Sequence, residues 1–129
     1  MSDRRLRRSS DPLVALHDQL TSARSRGDLD AIVVADPSGV VVAGAGSWPV
    51  CEELAAYAPL LVEGDWASMS GPVSSRVESL RVEVEVRSVT IAGQEVLLCA
   101  RRRGDGGRAA VARGLEEAAA GVSRILRAA

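Results

Sequence analysis

The chain of 129 residues has the size of one ordinary domain, and with 47% of its residues hydrophobic it can bury a core. A formal net charge of −1 gives no global pull towards nucleic acid or an anionic surface. With no Phe, one Tyr and two Trp, the core must be Val, Leu and Ala, and the stacking platform of single-strand binders is missing.

Residues 1–10, MSDRRLRRSS, read as a flexible basic arm. They lack the apolar stretch of a signal peptide, and Arg4, Arg5, Arg7 and Arg8 read as a solvated charge run rather than a nucleic-acid or lipid site. Residues 11–129 read as one domain. Ser10 or Asp11 can cap a helix over about 11–26, with Pro12 in its first turn and Leu13, Leu16, Leu20 and Ala23 at helical spacing. Gly27 ends it, and His17 sits at the border of its apolar stripe, its ring half covered.

Two apolar runs, 32–35 and 40–43, then flank Asp36-Pro37-Ser38-Gly39. Asp36 can accept from the backbone ahead, Pro37 presets φ, and Gly39 takes the left-handed position, so a hairpin is predicted. Neither run alternates with polar residues. A hairpin apolar on both faces predicts cover on both faces.

Ser47, Trp48 and Pro49 open a middle helix with Val50, Leu54, Tyr57, Ala58 and Leu61 on one face, and Pro59 predicts a kink or split. Residues 63–75 read as a loose continuation that becomes a loop. Further on, Val82, Val84 and Val86 alternate with Arg81, Glu83, Glu85 and Arg87, the period of a strand with one dry and one charged face. The pattern leaves open whether residues 80–92 form one strand or two. Gly93 marks a turn, residues 95–100 read as a strand, and RRRGDGGR (101–108) reads as a loop. The closing helix, 108–127, carries Val111, Leu115, Ala118, Val122 and Ile125/Leu126 on one stripe. The expected fold class is α+β, in the order α-β-β-α-β-β(-β)-α. A central antiparallel sheet has the first and last helices on one face and the middle helix on the other.

Chemistry-bearing motifs are scarce. One histidine and two distant cysteines make no zinc set without carboxylates, and no G-x-S-x-G elbow is present. GAGSWP lacks phosphate-loop spacing in a chain without Lys, and reads as small residues that let the chain turn onto the middle helix. Arg101, Arg102 and Arg103 read as a charged strand end rather than an arginine finger. No catalytic, cofactor-binding or metal residue is predicted, and so no enzyme. Cys51 and Cys99 read as buried free thiols of a reducing compartment. With no apolar run near the roughly 18 residues of a membrane span, a cytoplasmic protein without membrane insertion is expected. Trp48 and Trp66 flank the middle helix and suit a core anchor or an interface equally.

The leading amphipathic helix, LDAIVVADPSGVVVAG, the Ala/Leu-rich CEELAAYAPLL, the strands after it and the closing GLEEAAAGVSRIL together resemble the roadblock/dynein light chain family over roughly residues 12–127. The segment between middle and last helices is short for three strands, and the arginine-rich first ten residues stand outside the family pattern. The resemblance implies a non-enzymatic module. Such proteins pair through the middle helix and the strand after it, and bacterial members work beside Ras-like small GTPases as regulators or scaffolds of polarity and motility. The absence of Lys and Asn suits a GC-rich bacterial genome. The implied partners are a second copy and a small GTPase or another roadblock protein, without nucleic acid. The implied interface is Trp48, Leu54, Ala58 and Leu61 on the helix, with Arg81, Glu83, Glu85 and Arg87 on the strand. The alternative is a PAS- or profilin-like ligand-sensing domain with a pocket under the middle helix.

Overall fold

The computed structural model describes residues 11–63, 71–91, 93–104 and 108–128. The expectations for the basic arm and for Trp66 fall outside them. Helix α1 spans Pro12–Arg26. Asp11 caps it, its Oδ1 accepting from the N–H groups of Leu13 (3.1 Å) and Val14 (3.3 Å), so the aspartate supplies the acceptor that the first turn lacks. Gly27 closes the helix by donating to Ala23 O at 2.8 Å.

Strands β1 (Leu29–Ala35) and β2 (Val41–Ala45) form the predicted hairpin. In its turn, Asp36 Oδ1 accepts from the N–H of Ser38 (2.9 Å) and of Val40 (3.1 Å), and Gly39 stands at φ +93°. The Ser38 hydroxyl and these N–H groups hold the Asp36 carboxyl below its ordinary range. The hairpin then leaves through Gly46, at φ +122°, where a Cβ would lie 2.8 Å from Ala31 Cβ. The small residues of GAGSWP therefore allow a close turn against β1.

Helix α2 spans Trp48–Glu63 and runs through Pro59 without splitting. An interior proline removes one backbone bond and costs about 3 kcal/mol. Burial of Cys51, Leu54, Ala55 and Ala58 on the preceding turns offsets that loss. The largest departure from the sequence reading follows. Residues Pro72–Glu83 form a further helix, α3. Arg81, Val82 and Glu83 therefore lie on a helix, not on a strand, and β3 starts only at Val84 and runs unbroken to Ile91. Val73, Val77 and Leu80 recur at helical spacing, and Val77 and Leu80 are fully buried. Val82, which alternation would turn inward, is 60% exposed.

Strand β4 spans Gln94–Arg102, so Arg101 and Arg102 belong to it and not to a loop, and Gly93 makes the β3–β4 turn at φ +80°. Helix α4 spans Arg108–Ala128. The four described strands are all antiparallel, in the order β2-β1-β4-β3.

The layers are those the hairpin demands. Leu16, Leu20 and Ala23 of α1 and Val111, Leu115, Ala118 and Val122 of α4 pack on one face of the sheet against Ile32, Val34, Leu98 and Ala100. Cys51, Leu54, Ala55 and Ala58 of α2, with Leu80 of α3, pack on the other against Ala31, Val33, Ala35, Leu97 and Cys99. Helices α1 and α4 run antiparallel, with Gly114 beside Gly27 and Gly121 against Gln19.

Two substitutions test this arrangement. Leu115→Ala should destabilise by about 2–5 kcal/mol in urea unfolding, whereas Glu116→Ala, on the exposed face, should cost less than about 0.5 kcal/mol; equal costs would refute the assigned face. Gly39→Val should lose more than about 1 kcal/mol, the left-handed penalty for a residue with a Cβ, since φ at this position is +93°.

Candidate interaction surface

The expected interface residues divide into three groups. Leu54 and Ala58 have no solvent exposure and face the sheet. Their contacts serve the protomer's own core, which corrects the expectation that this stripe meets a partner: one narrow apolar face cannot pack inward and outward at once. Trp48 is 55% exposed at the start of α2. Of the two readings open for it, core anchoring is excluded. It stands about 20 Å along the helix from Leu61, at 1.5 Å rise per residue.

The remaining residues gather at the junction of α2, α3 and β3. Leu61, Arg81, Val84, Glu85 and Val86 line an open groove of about 280 Å³. Glu83, the last residue of α3, and Arg87, exposed on β3, flank it. Val62 and Val82 add exposed apolar surface on the two helices. Sequence reasoning misses both, because Val62 is off the apolar stripe and alternation puts Val82 inside a strand.

Polar contacts fix the helices around this groove. The Arg76 guanidinium on α3 donates to both carboxylate oxygens of Glu53 on α2, at 2.9 and 2.6 Å. This fork, with a smaller charge contribution, holds the Glu53 carboxyl below the usual glutamate range. Arg101 Nε stands 3.5 Å from Asp30 Oδ2 and 3.7 Å from Glu83 Oε2, tying the end of α3 to β1 through β4. Arg103 lies 3.7 Å from Asp28 Oδ1.

The two ends of the sheet differ. At β2, Nδ1 of His17 lies 3.2 Å from Gly44 O; a carbonyl only accepts, so Nδ1 carries the proton, and α1 caps that edge. Among the described residues strand β3 is bonded only to β4 and forms the other edge.

Among the described residues no group of three His, Cys, Asp or Glu side chains could hold a metal ion. Cys51 and Cys99 are free thiols buried in the core; burial raises the first above the ordinary cysteine value and pushes the second well above it. Among the described residues no helix is long and apolar enough to cross a membrane.

The Glu53–Arg76 fork gives a pH-dependent prediction. Glu53 titrates lower in the folded state, so the fork stabilises above the unfolded pKa and that stability is lost as pH falls through the folded one. Glu53→Gln should cost no more than about 1 kcal/mol at pH 7, since the pair is partly solvent-screened. The gap to wild type should shrink steadily as the medium is acidified in urea titrations; a gap independent of pH would exclude the ion pair as its source.

No protein-family model matches the chain, and no curated protein matches it significantly. Solved structures do, two of them MglB proteins. Myxococcus xanthus MglB superposes with a TM-score of 0.57 at 12% identity, over 88% of this chain and 89% of that one. The gliding protein MglB from Thermus thermophilus superposes with a TM-score of 0.59 at 18% identity, over 93% of this chain and 94% of that one. At these identities the likeness is one of architecture, and the chain has the roadblock-like fold of MglB.

Proposed function

We propose that this protein is a non-enzymatic, homodimeric interaction module that regulates or scaffolds a Ras-like small GTPase, or a polarity or motility complex, in the bacterial cytoplasm. The observation that carries the reading is the open β3 edge beside the α2–α3 groove, on a fold shared with MglB, which in Thermus thermophilus is a gliding protein. The partners are a second copy and the GTPase, or another roadblock protein. Strand β3 and Leu61, with Arg81, Glu83, Glu85 and Arg87, form the dimer surface, and Trp48 forms a separate contact point for the other partner. Leu54 and Ala58 support the surface from beneath.

The ligand-sensing alternative needs a pocket under the middle helix. That space is filled by Leu54, Ala55, Ala58 and Leu80 packed against Val33, Leu97 and Cys99. At the β4 end, Arg101 and Arg103 are held by carboxylates. Stimulation of a GTPase would therefore work by ordering its switch segments rather than by an arginine inserted in trans.

Light scattering at micromolar concentration should give twice the chain mass. Leu61→Glu with Val62→Glu should shift it to monomer without lowering the melting temperature sharply, whereas Leu54→Glu should unfold the chain. Affinity capture from the host, followed by a GTP hydrolysis assay with the recovered partner, should yield a small GTPase or a roadblock protein with altered hydrolysis or placement. Recovery of metabolites or nucleic acid alone would refute the reading.

A further inference from the structure

This inference rests on the dimer reading above and concerns how the two copies align. Strand β3 pairs with β4 without interruption from Val84 to Ile91, and it contains neither Pro nor Gly. It therefore lacks the bulge or proline that commonly blunts an edge strand. The groove beside Val84 and Val86 leaves its first half open to approach.

A two-fold axis that continues an antiparallel sheet stands perpendicular to it. Opposed residues then share a face, so the axis must pass level with a residue, not between two. Each choice of central residue has a different electrostatic result. An axis at Arg87 sets two guanidinium groups face to face, and one at Glu85 sets two carboxylates face to face; both are destabilising. An axis at Ser88 leaves Arg87 opposite the partner's Val89 and Glu85 opposite the partner's Ile91. An axis at Val86 sets Glu85 opposite the partner's Arg87 and Arg87 opposite the partner's Glu85. Val86 then meets its own copy, and Val84 stands opposite the partner's Ser88.

We infer that β3 pairs with a second copy of itself in the register centred on Val86, with Glu85 and Arg87 as the residues that specify it. Arg87 is exposed, and Glu85 is half-buried and also engaged within its own protomer. A carboxylate has several acceptor positions and can take a second cationic neighbour. Val84 and Val86 lie on the α2 face of the strand, so the apolar centre of this pairing continues the core beneath α2.

The test uses the full chain and charge exchange. Glu85→Arg and Arg87→Glu should each weaken the dimer about tenfold or more in sedimentation equilibrium, because each places two like-charged pairs across the axis. An equimolar mixture of the two variants should form a heterodimer, since both 85–87 cross-strand pairs then join an arginine to a glutamate. The double variant should recover the homodimer. Val86→Cys should cross-link to itself under mild oxidation, while Arg87→Cys and Ser88→Cys should not; Cys51 and Cys99 are buried and do not compete. Recovery in the double variant separates a lost interface from a lost fold. A wild-type dimer unaffected by the charge variants, or cross-linked at 87 or 88, would overturn this register and leave the dimer standing. A wild-type monomer would overturn both.

Discussion

From Ala31 to Ala35, β1 has no contact with solvent on either face. Ala31, Val33 and Ala35 belong to the core beneath α2, and Ile32 and Val34 to the core beneath α1 and α4. Each large aliphatic side chain so buried contributes about 1.5–3 kcal/mol, and neither face of the strand can be left bare. The three-layer arrangement follows from that one strand. Small residues are required wherever another element crosses it closely, which is why Gly46 turns against Ala31 and why Gly44 packs with Cys51 Sγ 3.0 Å from where a Cβ would stand.

Covering both faces leaves a sheet only its edges for association. The two edges are treated differently. Strand β2 is short, carries a bulge opposite Val34 and Ala35, and has a carbonyl taken by His17. Strand β3 is longer and regular, and its solvent-accessible polar residues are Glu85, Arg87, Ser88 and Thr90. Inward hydrophobic demand therefore fixes the body of the fold, and the residual freedom concentrates at one edge.

Much of this was legible in the residues. The hairpin turn follows from Asp36, Pro37 and Gly39, and the closing helix from a stripe whose members at 111, 115, 118 and 122 are all buried. Helix α3 was not legible, because two periods overlap in one segment. Val73, Val77 and Leu80 fit a helix, while Leu80, Val82, Val84 and Val86 fit a strand, and Leu80 satisfies both. Packing decides between them: Leu80 fills space beside Leu54 and Leu97, and Val82 is left outside. The interface was half legible for a related reason. An apolar helix stripe in sequence says that something covers it, and α2 gives that stripe to its own sheet, leaving Leu61 and Val62 at the rim.

The overlap of periods matters because it sets where the open edge begins. Alternation alone would let the strand start at Leu80 and carry Arg81 and Glu83 into the edge. Three contacts stop it. Leu80 and Val77 are buried as helical residues, Arg76 forks onto Glu53, and Arg101 draws Glu83 towards Asp30. The burial is the decisive one, and the Arg101 contact marks where it ends, since Glu83 is the final helical residue and Arg101 stands directly opposite Val84 in the β3–β4 ladder. Packing of Val77 and Leu80 thus sets the helix, Arg101 meets its last residue, and the exposed edge is confined to a strand that opens on Val84-Glu85-Val86-Arg87. Confinement places Arg81 and Glu83 beside the edge, on α3, and not in its strand register. The opposite charges that flank Val86 are then the pair nearest the groove, and a strand that would otherwise admit many registers is left with a self-complementary one.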